Sequence, residues 1–153
     1  MKKFALLMAA ACFLTAEVQA AEWQTDLPKA QSLAKSEKKE VLLDFNGSDW
    51  CPPCKALRKN VLSSPQFQSY ADTNLVLVDV DFPRHKSQTE EQKKANEQLA
   101  AKYNVEGFPT IIVLDQDGQV LDKSTGYGGE TPEQFIAHLE QLKKKEAPVN
   151  YHP

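Results

Sequence analysis

Two cysteines separated by two residues, Cys51-Pro52-Pro53-Cys54, are the part of this sequence best equipped for covalent chemistry. A disulfide across so short a loop removes little entropy from the unfolded chain. The pair is therefore explained by thiol–disulfide exchange better than by an inert structural staple. The motif follows turn-forming residues, Asn46-Gly47-Ser48-Asp49, and should open a helix. A helix start offers unpaired N–H groups and partial positive charge, which stabilise a thiolate. On this reading Cys51 is the exposed nucleophile, and Cys54, one turn further in and more buried, resolves the mixed disulfide. Pro52 and Pro53 fit the first turn, where the N–H groups they lack would be unpaired anyway. Asp44 is the acid of interest. Within Val41-Leu42-Leu43-Asp44-Phe45 it should be buried, which raises a carboxyl pKa and suits it to proton exchange with Cys54. A strand-end Asp in contact with solvent is the alternative.

Other uses of the pair fit less well. A structural zinc site takes four protein ligands, and His85, His138 and His152 show no paired spacing to complete one. Covalent haem attachment needs His directly after the second cysteine, where this chain has Lys55. No metal and no cofactor are expected.

The elements around the motif can be read from periodicity and turn chemistry. A helix is expected from about Asp26 to Lys39, with Leu27, Ala30, Leu33 and Ala34 on one face. Strands are expected at Val41–Phe45, Leu75–Val80 and Thr110–Leu114. Asp117-Gly118 signals a hairpin into Gln119-Val120-Leu121. The cysteine helix carries Leu57 and Val61, and Phe67 and Tyr70 suggest a further helical turn. Residues 84–94 are polar, a solvated excursion or an early helix, continuing into a helix with Ala95, Leu99 and Tyr103. Thr131-Pro132-Glu133-Gln134 is a capping box that starts the last helix, and the tail from Lys143 should fray. The order α, β, α, β, α, β, β, α describes an α/β protein with a central mixed sheet flanked by helices.

The first twenty residues do not read as fold. Lys2 and Lys3 precede an apolar run from Phe4 to Leu14, and Val18-Gln19-Ala20 resembles a cleavage signal. The run is too short to span a bilayer, for which roughly 20 apolar residues are needed. Residues 1–20 are expected to be a signal peptide cut after Ala20, leaving one domain at 21–153 with two cysteines. Cys12 lies inside the apolar run without a leucine-led lipobox and reads as part of it. The net charge is −3 with no basic, aromatic-interleaved stretch, so a nucleic-acid partner has no electrostatic support.

Trp50-Cys51-Pro52-Pro53-Cys54-Lys55 resembles the thioredoxin active site. Val105-Glu106-Gly107-Phe108-Pro109-Thr110 is similar to the same family's cis-proline segment, in the right order and just before a strand. The resemblance covers roughly Val41 to Leu142. It implies a thioredoxin-like fold with Pro109 cis and packed against the cysteines. Trp50, Phe108 and Pro109 would receive an extended substrate segment by backbone pairing. Asp44 would match the family's buried aspartate with one extra residue before Trp50, whereas the lysine that often accompanies it is replaced at Leu77. The Trp23 segment and the Asp115-Gln116-Asp117-Gly118 hairpin look most like exported thioredoxin-like reductases. These include the periplasmic C-terminal domain of a membrane electron transporter.

The resemblance thus implies a periplasmic, monomeric thiol–disulfide oxidoreductase. Its expected partners are disulfide-containing exported proteins and a membrane-bound electron donor of the thiol-reductant transport type. Three classes stay open: a reductase, an oxidase or isomerase, and a non-catalytic binding module. The Pro-Pro dipeptide lacks the His donor that favours oxidants, and Pro53 matches the reductase-like Cys-x-Pro-Cys pattern, so reduction is the expected direction.

Overall fold

The computed structural model describes residues 21–146, so the signal-peptide expectation for residues 1–20 lies outside the described residues. The chain forms β1 (Trp23–Gln24), α1 (Leu27–Glu37), β2 (Glu40–Asn46) and α2 (Pro52–Leu57), which continues as a π-helical turn at Arg58–Leu62. There follow α3 (Pro65–Asn74), β3 (Leu75–Asp81), α4 (Glu90–Lys102), β4 (Thr110–Leu114), β5 (Val120–Thr125) and α5 (Pro132–Glu146). The strands make one mixed sheet in the order β1-β3-β2-β4-β5. β3 is parallel to both β1 and β2; β4 is antiparallel to β2 and β5.

Alternation along the central strands builds two cores. Val41, Leu43 and Phe45 of β2 join Val76, Val78 and Val80 of β3 beneath α1 and Tyr103. Leu42, Leu75 and Leu77 face the other way, against Leu57, Val61, Phe67 and Leu139 of α2, the π turn, α3 and α5. Asp44, Asn46, Asp79 and Asp81 continue this second face by the same period-two rule. The face under the cysteine helix is therefore apolar in its middle, with Asp44, Asn46, Asp79 and Asp81 at one end and buried Glu40 where β2 begins.

The helix starts follow local chemistry. The side chains of Asp26, Ser64 and Thr89 cap α1, α3 and α4 by accepting the N–H of Lys29, Phe67 and Gln92. The capping box is closed on both sides, by Gln134 N–H on Thr131 Oγ1 (3.3 Å) and Thr131 N–H on Gln134 Oε1 (2.9 Å). At the β4–β5 hairpin Gly118 has φ of 84°, and Asp115 Oδ1 accepts the Asp117 and Gln119 N–H groups at 2.8 Å each.

Several boundaries differ from the sequence reading. The first helix stops at Glu37 because Lys38 takes a left-handed conformation (φ 56°), closing the end through its N–H on Ala34 O. Phe67 and Tyr70 belong to a separate ten-residue helix rather than one extra turn. The last helix persists through Lys143, whose Nζ donates to Asn74 Oδ1 at 2.6 Å, so fraying does not begin there. β1 was not expected at all.

Candidate active site

Cys51 caps α2 and is joined to Cys54 by a disulfide. Its Sγ also accepts the Cys54 N–H at 3.3 Å, one of the unpaired donors of a helix start. The preceding turn is closed by Trp50 N–H and Cys51 N–H on Gly47 O, at 3.2 and 2.9 Å. Relative exposure corrects one expectation: with the disulfide closed, Cys51 is 3% exposed and Cys54 5%, so the first cysteine is no more open than the second. The physical reason lies in the disulfide and the fold around it. Cys51 Sγ folds back over the helix start, bonded to its partner, instead of pointing outward.

The Phe108–Pro109 peptide bond is cis, as the resemblance implied. Pro109 is buried and anchored to the end of β5, its carbonyl accepting the Gly126 N–H at 2.8 Å. Phe108 packs its ring against Trp50 (centroids 5.9 Å apart, edge-on) and Phe82 (5.1 Å). Trp50 Nε1–H donates to Phe82 O at 2.7 Å. Gly47 makes room for this indole: a Cβ there would lie 2.6–2.8 Å from Nε1 and Cζ2 of Trp50. The structure thus brings Phe108 of the cis-proline segment onto Trp50, the residue that precedes Cys51.

Asp44 is buried, at 2% exposure, which removes the solvent-contact alternative. It pairs with Asp79 in β3 and Ile111 in β4. Oδ2 accepts from Arg58 Nη2 at 3.0 Å, while Oδ1 makes no hydrogen bond among the described residues. Burial is the main force on this carboxyl and pushes it up to about 7. The Arg58 cation opposes the shift, and Asp79 and Asp81 add to it.

Arg58 was missed by the sequence reading. From the end of the cysteine helix it donates to Asp44 and to Asp79 Oδ1 (3.1 Å), and its guanidinium lies 4.0 Å over the Trp23 ring. A cation accompanies the buried aspartate after all, supplied by the helix rather than by the strand position of Leu77. Asn46 Nδ2 completes the cluster on Asp79 Oδ1 (2.7 Å). A cavity of about 410 Å³ is lined by Asn46, Cys54, Arg58 and Lys59, so Arg58 links the space beside the second sulfur to Asp44. Period-two reading of Leu75-Val76-Leu77-Val78-Asp79-Val80-Asp81 would have put Asp79 and Asp81 on this face. Arg58 had no comparable signal.

Fold and site combine a Cys51–Cys54 disulfide at a helix start with a cis-proline loop packed on Trp50, all carried by one mixed sheet. The thioredoxin-like domain family model matches residues 27–143, and the chain belongs to that family. It is 37% identical over 100 residues to the disulfide bond reductase DsbH of Chlamydia pneumoniae, covering 65% of this chain and 60% of that protein. It is 35% identical over 115 residues to the thiol:disulfide interchange protein DsbD of Photorhabdus laumondii, covering 74% of this chain and 18% of that one. The chain therefore spans under two thirds of these relatives' lengths. Among solved structures, a DsbH oxidoreductase superposes with a TM-score of 0.76 at 28% identity, covering 93% of this chain and 95% of that chain.

Proposed function

We propose that this protein is an exported thiol–disulfide oxidoreductase that reduces disulfides of exported proteins. The observation that carries the reading is the Cys51–Cys54 disulfide seated on the first turn of α2, with Phe108 of the cis-proline bond packed on the adjoining Trp50. The reductase and interchange names of the relatives support it. In the reduced state the Cys51 thiolate, stabilised by the helix start, attacks a substrate sulfur. The substrate S–S bond breaks, one substrate sulfur leaves as thiolate, and a mixed disulfide forms on Cys51. Cys54 then gives up its proton and attacks Cys51 Sγ. This regenerates the intramolecular disulfide and releases the second substrate thiol, so two electrons pass to the substrate. Asp44, poised near neutrality, is suited to take the Cys54 proton. Trp50, Phe108 and Pro109 align the extended substrate segment.

The return electrons require an external dithiol, for which a membrane-bound donor of the thiol-reductant transport type is the fitting class. Export rests on the signal-like pattern of residues 1–20, with the domain beginning at Ala21 and acting in the periplasm as a monomer. The reducing direction rests on the Pro52-Pro53 dipeptide, which places no imidazole beside the thiolate.

The test is the equilibrium potential of Cys51/Cys54 against glutathione. A value well below about −180 mV, toward the thioredoxin range, agrees with a reductase. A value at or above that level shifts the assignment to oxidase or isomerase. The sulfur roles are tested by trapping: Cys54→Ser should accumulate mixed disulfides on Cys51 and Cys51→Ser should not. Equal trapping by the two variants overturns the assignment.

A further inference from the structure

The polar stretch after β3 is an exposed excursion, as expected, but its backbone is held from within the chain. Asp49, two residues before Cys51, turns its carboxylate into three consecutive backbone N–H groups of that stretch. Oδ1 accepts from Arg84 (3.0 Å), and Oδ2 from His85 (2.7 Å) and Lys86 (2.9 Å). Such a run of N–H groups is an anion-holding nest, here filled from within the chain. These hydrogen bonds, led by the one from Arg84, lower the Asp49 carboxyl to about 2, so the clamp stays ionised at any working pH. Lys86 Nζ donates to Ser48 Oγ (3.1 Å), and Gln88 Nε2 to Asp81 O (3.2 Å). The Arg84 guanidinium stacks 3.7 Å over the Trp50 ring, on the residue next to the nucleophile.

The backbone is thus held in place while the side chains of Arg84, His85 and Lys86 remain exposed. Charge is sorted in the same sense. The protein is acidic overall at −3, yet Asp49 is turned into the loop and Asp81 into the Ser48 N–H and hydroxyl (2.8 and 2.6 Å). Neither Arg84 nor Lys86 has an ion-pair partner among the described residues. On the cis-proline side the nearby acid is Glu106, exposed two residues before Phe108. Arg84 and Lys86 are thus held beside Trp50 with no side-chain ion pair of their own, their charges exposed to an incoming molecule.

We infer that residues 84–86 form a recognition arm that selects substrates carrying carboxylates beside the disulfide to be exchanged. This rests on the proposed exchange activity and names the substrate class of that same site. Opposite charges speed encounter and lower the dissociation rate, and salt weakens both effects.

The test uses three synthetic peptide disulfides that differ only in their flanking residues: Glu, Gln or Lys. The rate constant of the reduced protein with each is divided by its rate with bis(2-hydroxyethyl) disulfide, which carries no charge. General loss of folding or of exchange then cancels. At low ionic strength the Glu peptide should react about tenfold faster than the Lys peptide, since one exposed cation–carboxylate contact is worth roughly threefold. The ratio should shrink toward one in 0.5 M salt, about five times the ionic strength at which screening already acts over ~10 Å. The double substitution Arg84→Glu with Lys86→Glu should reverse the order. Equal normalised rates for all three peptides, or an order unmoved by the double substitution, overturn the recognition arm. Failure to react with any disulfide, the uncharged one included, overturns the proposed activity instead.

Discussion

Asp44→Asn should stabilise the oxidised protein at alkaline pH and leave it nearly unchanged in acid. A carboxyl held at about 7 in the folded state, against 3.8 as its ordinary value, binds its proton more tightly when folded. Such a group contributes stability below its unfolded pKa and loses that contribution as pH rises through its folded pKa. The difference of about three pH units corresponds to about 4 kcal/mol at pH 8 and above, at about 1.4 kcal/mol per unit. Asn keeps the shape and cannot ionise. Its cost is the Arg58 contact, which is modest because Arg58 is a third exposed and keeps Asp79. A net gain of about 3 kcal/mol at pH 8.5 is expected, falling to about zero by pH 4. Urea unfolding of the disulfide form of both proteins across pH 4–9 measures it, and no thiol titrates to confuse the slope. Parallel stability curves, or a variant less stable at pH 8.5, would refute the reasoning that burial dominates this carboxyl. If Asp44 takes the Cys54 proton as proposed, the same variant should exchange disulfides more slowly at neutral pH.

Removing the cation should act in the opposite sense on the same group. Arg58→Met takes away the interaction that lowers Asp44, so the carboxyl should titrate about one pH unit higher. Carbon-detected NMR of the Asp44 carboxyl reads this directly, Arg58→Lys should restore part of it, and an unmoved titration would exclude Arg58 as the controlling charge. Gly47→Ala should displace the Trp50 ring, break the Nε1–Phe82 hydrogen bond and cost about 1–3 kcal/mol. A thermal melt and tryptophan emission together check this, and unchanged emission with full stability would show that the turn can yield.

The central chemistry was legible because it is local. Cys51-x-x-Cys54 and the Thr131–Gln134 capping box are short patterns whose geometry follows from their own residues, while the cis Phe108–Pro109 bond was implied by the family resemblance of its segment. Asp44 was legible as buried because four apolar neighbours surround it in sequence. What escaped depends on distant segments meeting. β1 is two residues long, too short for any periodicity, and exists only because β3 offers an edge to Trp23. Arg58 looks like any helical arginine until Asp44, Asp79 and Trp23 are placed around it. The stretch from Arg84 to Lys86 has the composition of a solvated loop, and only the Asp49 carboxylate, 35 residues earlier than Arg84, reveals that it is held. The exposure of Cys51 was misjudged because its burial depends on the disulfide to Cys54 and on the fold around it, which the motif alone does not display.

Two aspartates five residues apart show why sequence type alone does not assign chemistry. Asp49 faces N–H donors and is held as an anion at about 2; Asp44 faces apolar side chains and two more acids and is held near 7. The first is fixed in charge and can serve only as an anchor. The second changes charge at working pH and can serve only poorly as an anchor, since ionising it costs stability. Leu42 and Leu77 show what the sheet places on the same face when packing alone is required. On this face the aspartates lie at the end of the strands where α2 and the π turn bring Cys54 and Arg58, while a further buried acid, Glu40, opens β2 at the other end. What sets Asp44 apart is its place at the end that meets the cysteine pair, with a carboxyl held near 7, which is the pattern expected if it is retained for proton exchange rather than for folding.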